Sequence, residues 1–158
     1  MPAPKPLNPG DKAPSFSFAE NDQTVHSYEL TSPYLVYFYP KDDTPGCTKE
    51  ACAIRDVWAE FESSGLKVIG VSKDGEKSHD KFREKYSLQF PLVPDTEMEL
   101  AKAFGVFGEK KFMGRVYDGV HRMSFLIAAD GTILKSYLKV KPDAHATEVL
   151  KDFAELKD

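Results

Sequence analysis

Cysteine occurs twice, tryptophan once and arginine four times in these 158 residues. Two cysteines are few enough to be weighed one by one. No Cys-x-x-Cys pair and no His-Glu-x-x-His spacing is present, and His26, His79, His121 and His145 are scattered, so neither a metal site nor a cofactor is expected. The longest apolar stretches, Tyr34 to Tyr39 and Phe125 to Ala129, fall far below the ~18 residues that cross a bilayer, which argues against a membrane partner. Charge of one sign is not blocked either. The formal net charge is -4, with Lys and Glu dispersed singly, so no basic surface for nucleic acid is expected. The opening MPAPKPLNPGDKAP lacks an apolar signal core, and residues 1–9 read as a Pro-rich extended arm of a protein not exported by that route. The expectation is a cytoplasmic protein; a transit peptide removed ahead of this numbering would leave no trace. No internal repeat, linker or low-complexity tract interrupts the chain.

What is present fits one domain over residues 1–158. A composition 41% hydrophobic and 29% charged supports a packed core and excludes a disordered or fibrous chain. Phe16, Phe18, Val25, Tyr28 and Leu30 around a polar turn at 20–23 suggest a small N-terminal hairpin. Tyr34 to Tyr39 is β-prone without alternation, the pattern of a strand covered on both faces. From Thr44, with Pro45 suited to a first helical turn, Cys47, Ala51, Ile54, Trp58 and Phe61 recur at helical spacing until Gly65. Leu66 to Val71 is a second buried strand, so 34–71 form a parallel βαβ unit and an α/β fold. A helix over 78–86, a short strand near 90–93 and a short helix over 97–104 follow. Residues 105–119 read as a long loop, of the kind that is often functional. Asp130-Gly131 then joins the strands of a hairpin over 122–140, and a helix over 144–156 closes the chain. A parallel pair, an antiparallel hairpin and helices on both faces resemble the thioredoxin-like fold, with a mixed central sheet. The stretch Gly70 to Ser78 mimics a phosphate-binding loop, but Glu76 stands between Gly75 and Lys77 and would repel phosphate.

Cys47 falls at the start of the helix that leaves the central strand, where free N–H groups and the helix dipole favour an anion. Cys52, five residues on, lies about 140° round a regular helix and about 7.5 Å along it. A bond between them would require the first turns to unwind, because disulfides need α-carbons within about 7 Å.

Pro40-Lys41-Asp42-Asp43-Thr44-Pro45-Gly46-Cys47 has the form Pro-x-x-x-Thr-x-x-Cys and resembles the peroxiredoxin active-site motif. Cys47 to Cys52, Ser78 to Phe82, Gly108 to Gly114 and His121 to Ile127 resemble the peroxiredoxin Q or bacterioferritin comigratory protein branch. The likeness runs from about Gly10 to the C-terminal helix. It implies that Cys47 is the peroxidatic cysteine, oxidised by hydrogen peroxide or an organic hydroperoxide to a sulfenic acid. It also implies that Thr44 donates to the peroxide while accepting from a neighbour, that Pro40 shields the pocket, and that Arg122 holds thiolate and leaving oxygen. Cys52 matches the resolving cysteine, giving an intramolecular disulfide that thioredoxin or a similar dithiol reduces. A monomer is expected, since no partner subunit is needed. Glu50 could orient Arg122 or sit exposed on the helix. His79 reads as a capping or surface histidine. Two competing functions are a thioredoxin-like disulfide carrier, disfavoured by the missing Cys-x-x-Cys, and a non-enzymatic redox sensor or holdase.

Overall fold

In the computed structural model, residues 3–157 are described. Strands β1 (Ser17–Glu20) and β2 (Gln23–His26) pair as the expected hairpin. Asn21 and Asp22 make its turn at φ 53° and 62°, a left-handed conformation that these two residue types tolerate. Strand β3 (Tyr34–Phe38) is buried throughout. Leu35 and Tyr37 enter one apolar cluster, Val36 and Phe38 the other, as a centrally placed strand requires.

The helix expected from Thr44 to Gly65 is two helices. Helix α1 (Pro45–Asp56) stops at Val57, whose φ of -115° and ψ of 26° are not helical, and α2 (Trp58–Ser64) restarts the turn. The reset keeps Cys47, Ala51, Ile54 and Phe61 in one core, a stripe that one straight helix would carry gradually around its axis. Gly65, at φ 77°, ends α2 in the left-handed cap that glycine favours. Strand β4 (Lys67–Ser72) runs parallel to β3, with Tyr34 opposite Lys67 and Phe38 opposite Val71.

Helix α3 (Glu76–Tyr86), strand β5 (Leu92–Pro94) and helix α4 (Glu99–Ala103) follow, with β5 parallel to β4. Residues 105–119 are not the loop expected. They contain β6 (Phe107–Phe112), which pairs antiparallel with β7 (Arg115–Val120) around Met113 and Gly114, both at positive φ. Much of this ribbon faces solvent, so it lacks the alternation that marks a half-buried strand. Strands β8 (Met123–Ile127) and β9 (Ile133–Tyr137) flank Asp130-Gly131 as expected, and α5 (His145–Lys157) completes the order.

The main sheet runs β5-β4-β3-β8-β9, with β3 parallel to β4 and antiparallel to β8. Helices α1, α2 and α5, with Phe82 of α3, cover one face; α4 and the β1–β2 hairpin cover the other. This is the thioredoxin-like arrangement. Residues 3–8 carry no helix or strand and pack down on the sheet side: Leu7 N donates to Phe104 O at 3.1 Å, and Ser136 Oγ donates to Leu7 O at 2.8 Å. Gly105 and Gly108 make room for the arm, since a Cβ there would stand 2.1 Å from Lys5 O and 2.6 Å from Pro4 N. Among the described residues no helix is long and apolar enough to cross a membrane.

Candidate active site

The site forms where the chain leaves the carboxyl end of β3. Pro40, Thr44 and Cys47 come from the β3–α1 connection and the first turn of α1, and Thr44 is the helix N-cap. Arg122 arrives from the short link between β7 and β8, because β8 pairs directly with β3. Its Nη2 donates to Cys47 Sγ at 3.3 Å and its Nη1 to Glu50 Oε1 at 2.7 Å. Cys47 is 2% exposed and Glu50 1%. The sulfur therefore meets a guanidinium and a helix N-terminus together, the electrostatic setting for an anion.

Glu50 is thus not a solvated helix carboxylate. Burial raises its proton affinity and outweighs the charge and hydrogen bond of Arg122, leaving its pKa pushed up to about 7. Its Oε2 is buried and has no hydrogen-bond partner among the described residues. Gly46 keeps the guanidinium close: a Cβ there would stand 3.0 Å from Arg122 Nη2. The Thr44 hydroxyl donates to Lys41 O at 2.8 Å. With its hydrogen placed there, the hydroxyl oxygen keeps lone pairs open to a donor.

Cys52 lies further along intact α1, half-buried, and both cysteines are free thiols. Burial pushes the Cys52 thiol up.

A hydrogen-bonded network behind the motif was not legible in the sequence. Asp42 accepts from Tyr39 Oη at 2.5 Å and Ser78 Oγ at 2.8 Å, and it faces His79 Nδ1 at 2.7 Å. His79 Nε2 reaches Val93 O at 3.0 Å. Burial works to raise the Asp42 pKa, but hydrogen bonds from His79, Tyr39 and Ser78 together hold it below the usual carboxylate range. His79 is accordingly a buried tie between α3, β5 and the motif, neither a cap nor a surface residue. Asp43 adds a second tie, accepting from Lys85 Nζ and Tyr86 Oη, each at 2.7 Å. The hints were the polar pair Ser78-His79 near the start of α3 and the likeness of Ser78 to Phe82 to the peroxiredoxin Q branch.

A row of Ser124, His145 and Glu148 has the spacing of a nucleophile, base and carboxylate, at 2.8 and 3.0 Å. Ser124 is 0% exposed within β8, so no substrate reaches it and the row serves packing. Among the described residues no group of three or more His, Cys, Asp or Glu could hold a metal ion.

The AhpC/TSA family model matches residues 9–136. The chain belongs to the AhpC/TSA family. Within that family it is 44% identical over 147 residues to peroxiredoxin Bcp of Escherichia coli, covering 92% of this chain and 94% of that protein. The solved bacterioferritin comigratory protein of Xanthomonas campestris, studied for its alkyl peroxide reduction activity, matches at TM-score 0.77 and 38% identity over 82% of each chain. A cysteine-to-serine mutant of PrxQ from Xylella fastidiosa matches at TM-score 0.82 and 32% identity, covering all of this chain and 98% of that one. This AhpC/TSA member is a peroxiredoxin of the Bcp type and, as an enzyme, a thiol-dependent peroxidase.

Proposed function

We propose that the protein reduces hydrogen peroxide and organic hydroperoxides through a Cys47 sulfenic acid and a Cys47–Cys52 disulfide, with thioredoxin or a similar dithiol as reductant. The observation that carries this reading is the Arg122 guanidinium 3.3 Å from Cys47 Sγ at the first turn of α1. A cation beside one sulfur would favour the thiolate of a disulfide carrier too, but the chain has no Cys-x-x-Cys, and peroxide cleavage in addition builds negative charge where the guanidinium lies.

Cys47 attacks the nearer peroxide oxygen, the O–O bond breaks, and the far oxygen leaves with the electron pair. Arg122 holds sulfur and leaving oxygen, Glu50 aims Arg122, Thr44 accepts the peroxide O–H, and Pro40 walls the pocket. Cys52 then displaces water from the sulfenic acid. In the folded state a continuous α1 carries both cysteines, so its first turns must open before the two sulfurs bond. A sulfenic acid that waits for unwinding is available to a resolving thiol only after substrate has reacted. The two thiols lie in one chain, which supports action as a monomer, one domain carrying the whole cycle in the cytoplasm. Alkyl hydroperoxides as substrates draw support from the Xanthomonas campestris relative.

Intact mass before and after one equivalent of hydrogen peroxide tests the cycle. The wild type should lose two hydrogens, mapped to a Cys47–Cys52 bridge, while Cys52→Ser gains oxygen at Cys47. Two unchanged masses would refute an activated Cys47.

A further inference from the structure

Peroxide cleavage releases hydroxide or an alkoxide, a strong base that needs a proton. Arg122 can stabilise that charge, but a guanidinium keeps its proton. The Thr44 hydrogen is committed to Lys41 O. A side chain that releases a proton at the pocket would speed this step.

The β6–β7 hairpin supplies one. Lys110 pairs across the ribbon with Tyr117, and its stem runs over Gly119, where a Cβ would stand 3.1 Å from Lys110 Cδ. That crossing takes its ammonium to Val120 O at 2.9 Å, two residues before Arg122. One of three ammonium hydrogens is used there, leaving two. Lys110 lines a cavity of about 270 Å³ whose wall also includes Pro40, Lys41, Lys73, Tyr117 and the carboxylate-bearing Asp118. Pro40 opens the peroxidatic motif, so this cavity meets the motif at its first residue. Lys41 and Lys73 are exposed; Lys110 is half-buried. The charges of Arg122 and Cys47 both act on it. Burial first, then the Arg122 charge, lowers its proton affinity and outweighs the Cys47 charge, which raises it, so Lys110 releases a proton more readily than a solvated lysine does.

We propose that Lys110 is a catalytic proton donor, which protonates the leaving oxygen as Cys47 attacks. This rests on the peroxidase reading above. The sulfur–oxygen bond forms as the O–O bond breaks, sulfur is oxidised by two electrons and the peroxide reduced by two. The departing oxygen takes the Lys110 proton and leaves as water or an alcohol. The neutral amine regains a proton from solvent through the open cavity. Arg122 and Lys110, anchored close together along the chain, then divide the work: one stabilises charge and the other removes it.

The test separates proton donation from charge. In the Cys52→Ser background, Cys47 oxidation is timed with peracetic acid, hydrogen peroxide and tert-butyl hydroperoxide, for Lys110, Lys110→Met and Lys110→Arg. Acetate leaves without a proton; hydroxide and tert-butoxide do not. Lys110→Met, which keeps the stem over Gly119, should be slower by about 10²-fold with the latter two and within about threefold with peracetic acid. Lys110→Arg restores charge but not a releasable proton and should remain slow with tert-butyl hydroperoxide. Equal losses across the three oxidants, no loss at all, or full rescue by arginine would overturn the proposal while the parent still reacts. A parent inert to all three would overturn the peroxidase reading itself.

Discussion

Glu50 shows how one residue can be both an electrostatic cost and a positioning device. Its carboxylate fixes Arg122 at 2.7 Å, yet it is buried, and its second oxygen has no partner among the described residues. Burying a charge favours the neutral acid even beside a guanidinium. With a native pKa of about 7 against an ordinary 4.5, the folded protein binds more protons at Glu50 than the unfolded chain does between those values. This contribution makes stability fall as pH rises through that window, and it is constant above and below. Glu50→Gln removes the proton-binding group. Its unfolding free energy, from urea titrations at a series of pH values, should therefore fall less than that of the wild type between pH 4.5 and 7.5, by about 3 kcal/mol. Parallel curves would show that Glu50 ionises in the fold as it does in water.

At the scale of elements, α1 has two duties that conflict. It holds Cys47 against Arg122, and in the proposed cycle it must also open to let Cys52 reach the same sulfur. The segment before it is pinned to α3 through Asp42 and Asp43, so opening is confined to the helix side of Thr44. Gly46, inside the first turn, serves both duties. It leaves room for the guanidinium, and glycine weakens a helix by roughly 0.5–1 kcal/mol relative to alanine. Gly46→Ala should leave thermal stability unchanged or slightly raised. Stopped-flow traces should show Cys47 oxidation slower by about tenfold, through the displaced guanidinium, and disulfide closure slower as well. Faster closure in that variant would show that unwinding is not required. The same α1–α2 region also shows why boundaries are hard to read: the helical stripe continues past Val57 although the backbone does not, since apolar spacing reports which face is buried and not whether the axis is unbroken.

Across the whole molecule, the N-terminal arm closes over the junction between α4 and β6, away from α1. Gly105→Ala would force a side chain into a left-handed backbone at φ 77° and into Lys5 O. A loss of about 1–2 kcal/mol is expected, seen as a lower Tm, with faster amide exchange at Leu7 and an unchanged rate of Cys47 oxidation. Slowed oxidation would tie the arm to the site. The sequence by itself determined the β3–α1–β4 unit, the β8–β9 hairpin and Cys47 at a helix start, because periodicity and turn chemistry act between residues a few positions apart. Resemblance to a family added Arg122, Thr44 and Pro40. Only the tertiary structure decided the rest. Arg122 meets Cys47 across 75 positions and His79 meets Asp42 across 37, distances that no local pattern spans. These contacts exist because β8 pairs with β3 and because α3 and β5 pack beside β4, an arrangement that only burial of the two apolar clusters on the completed sheet can fix.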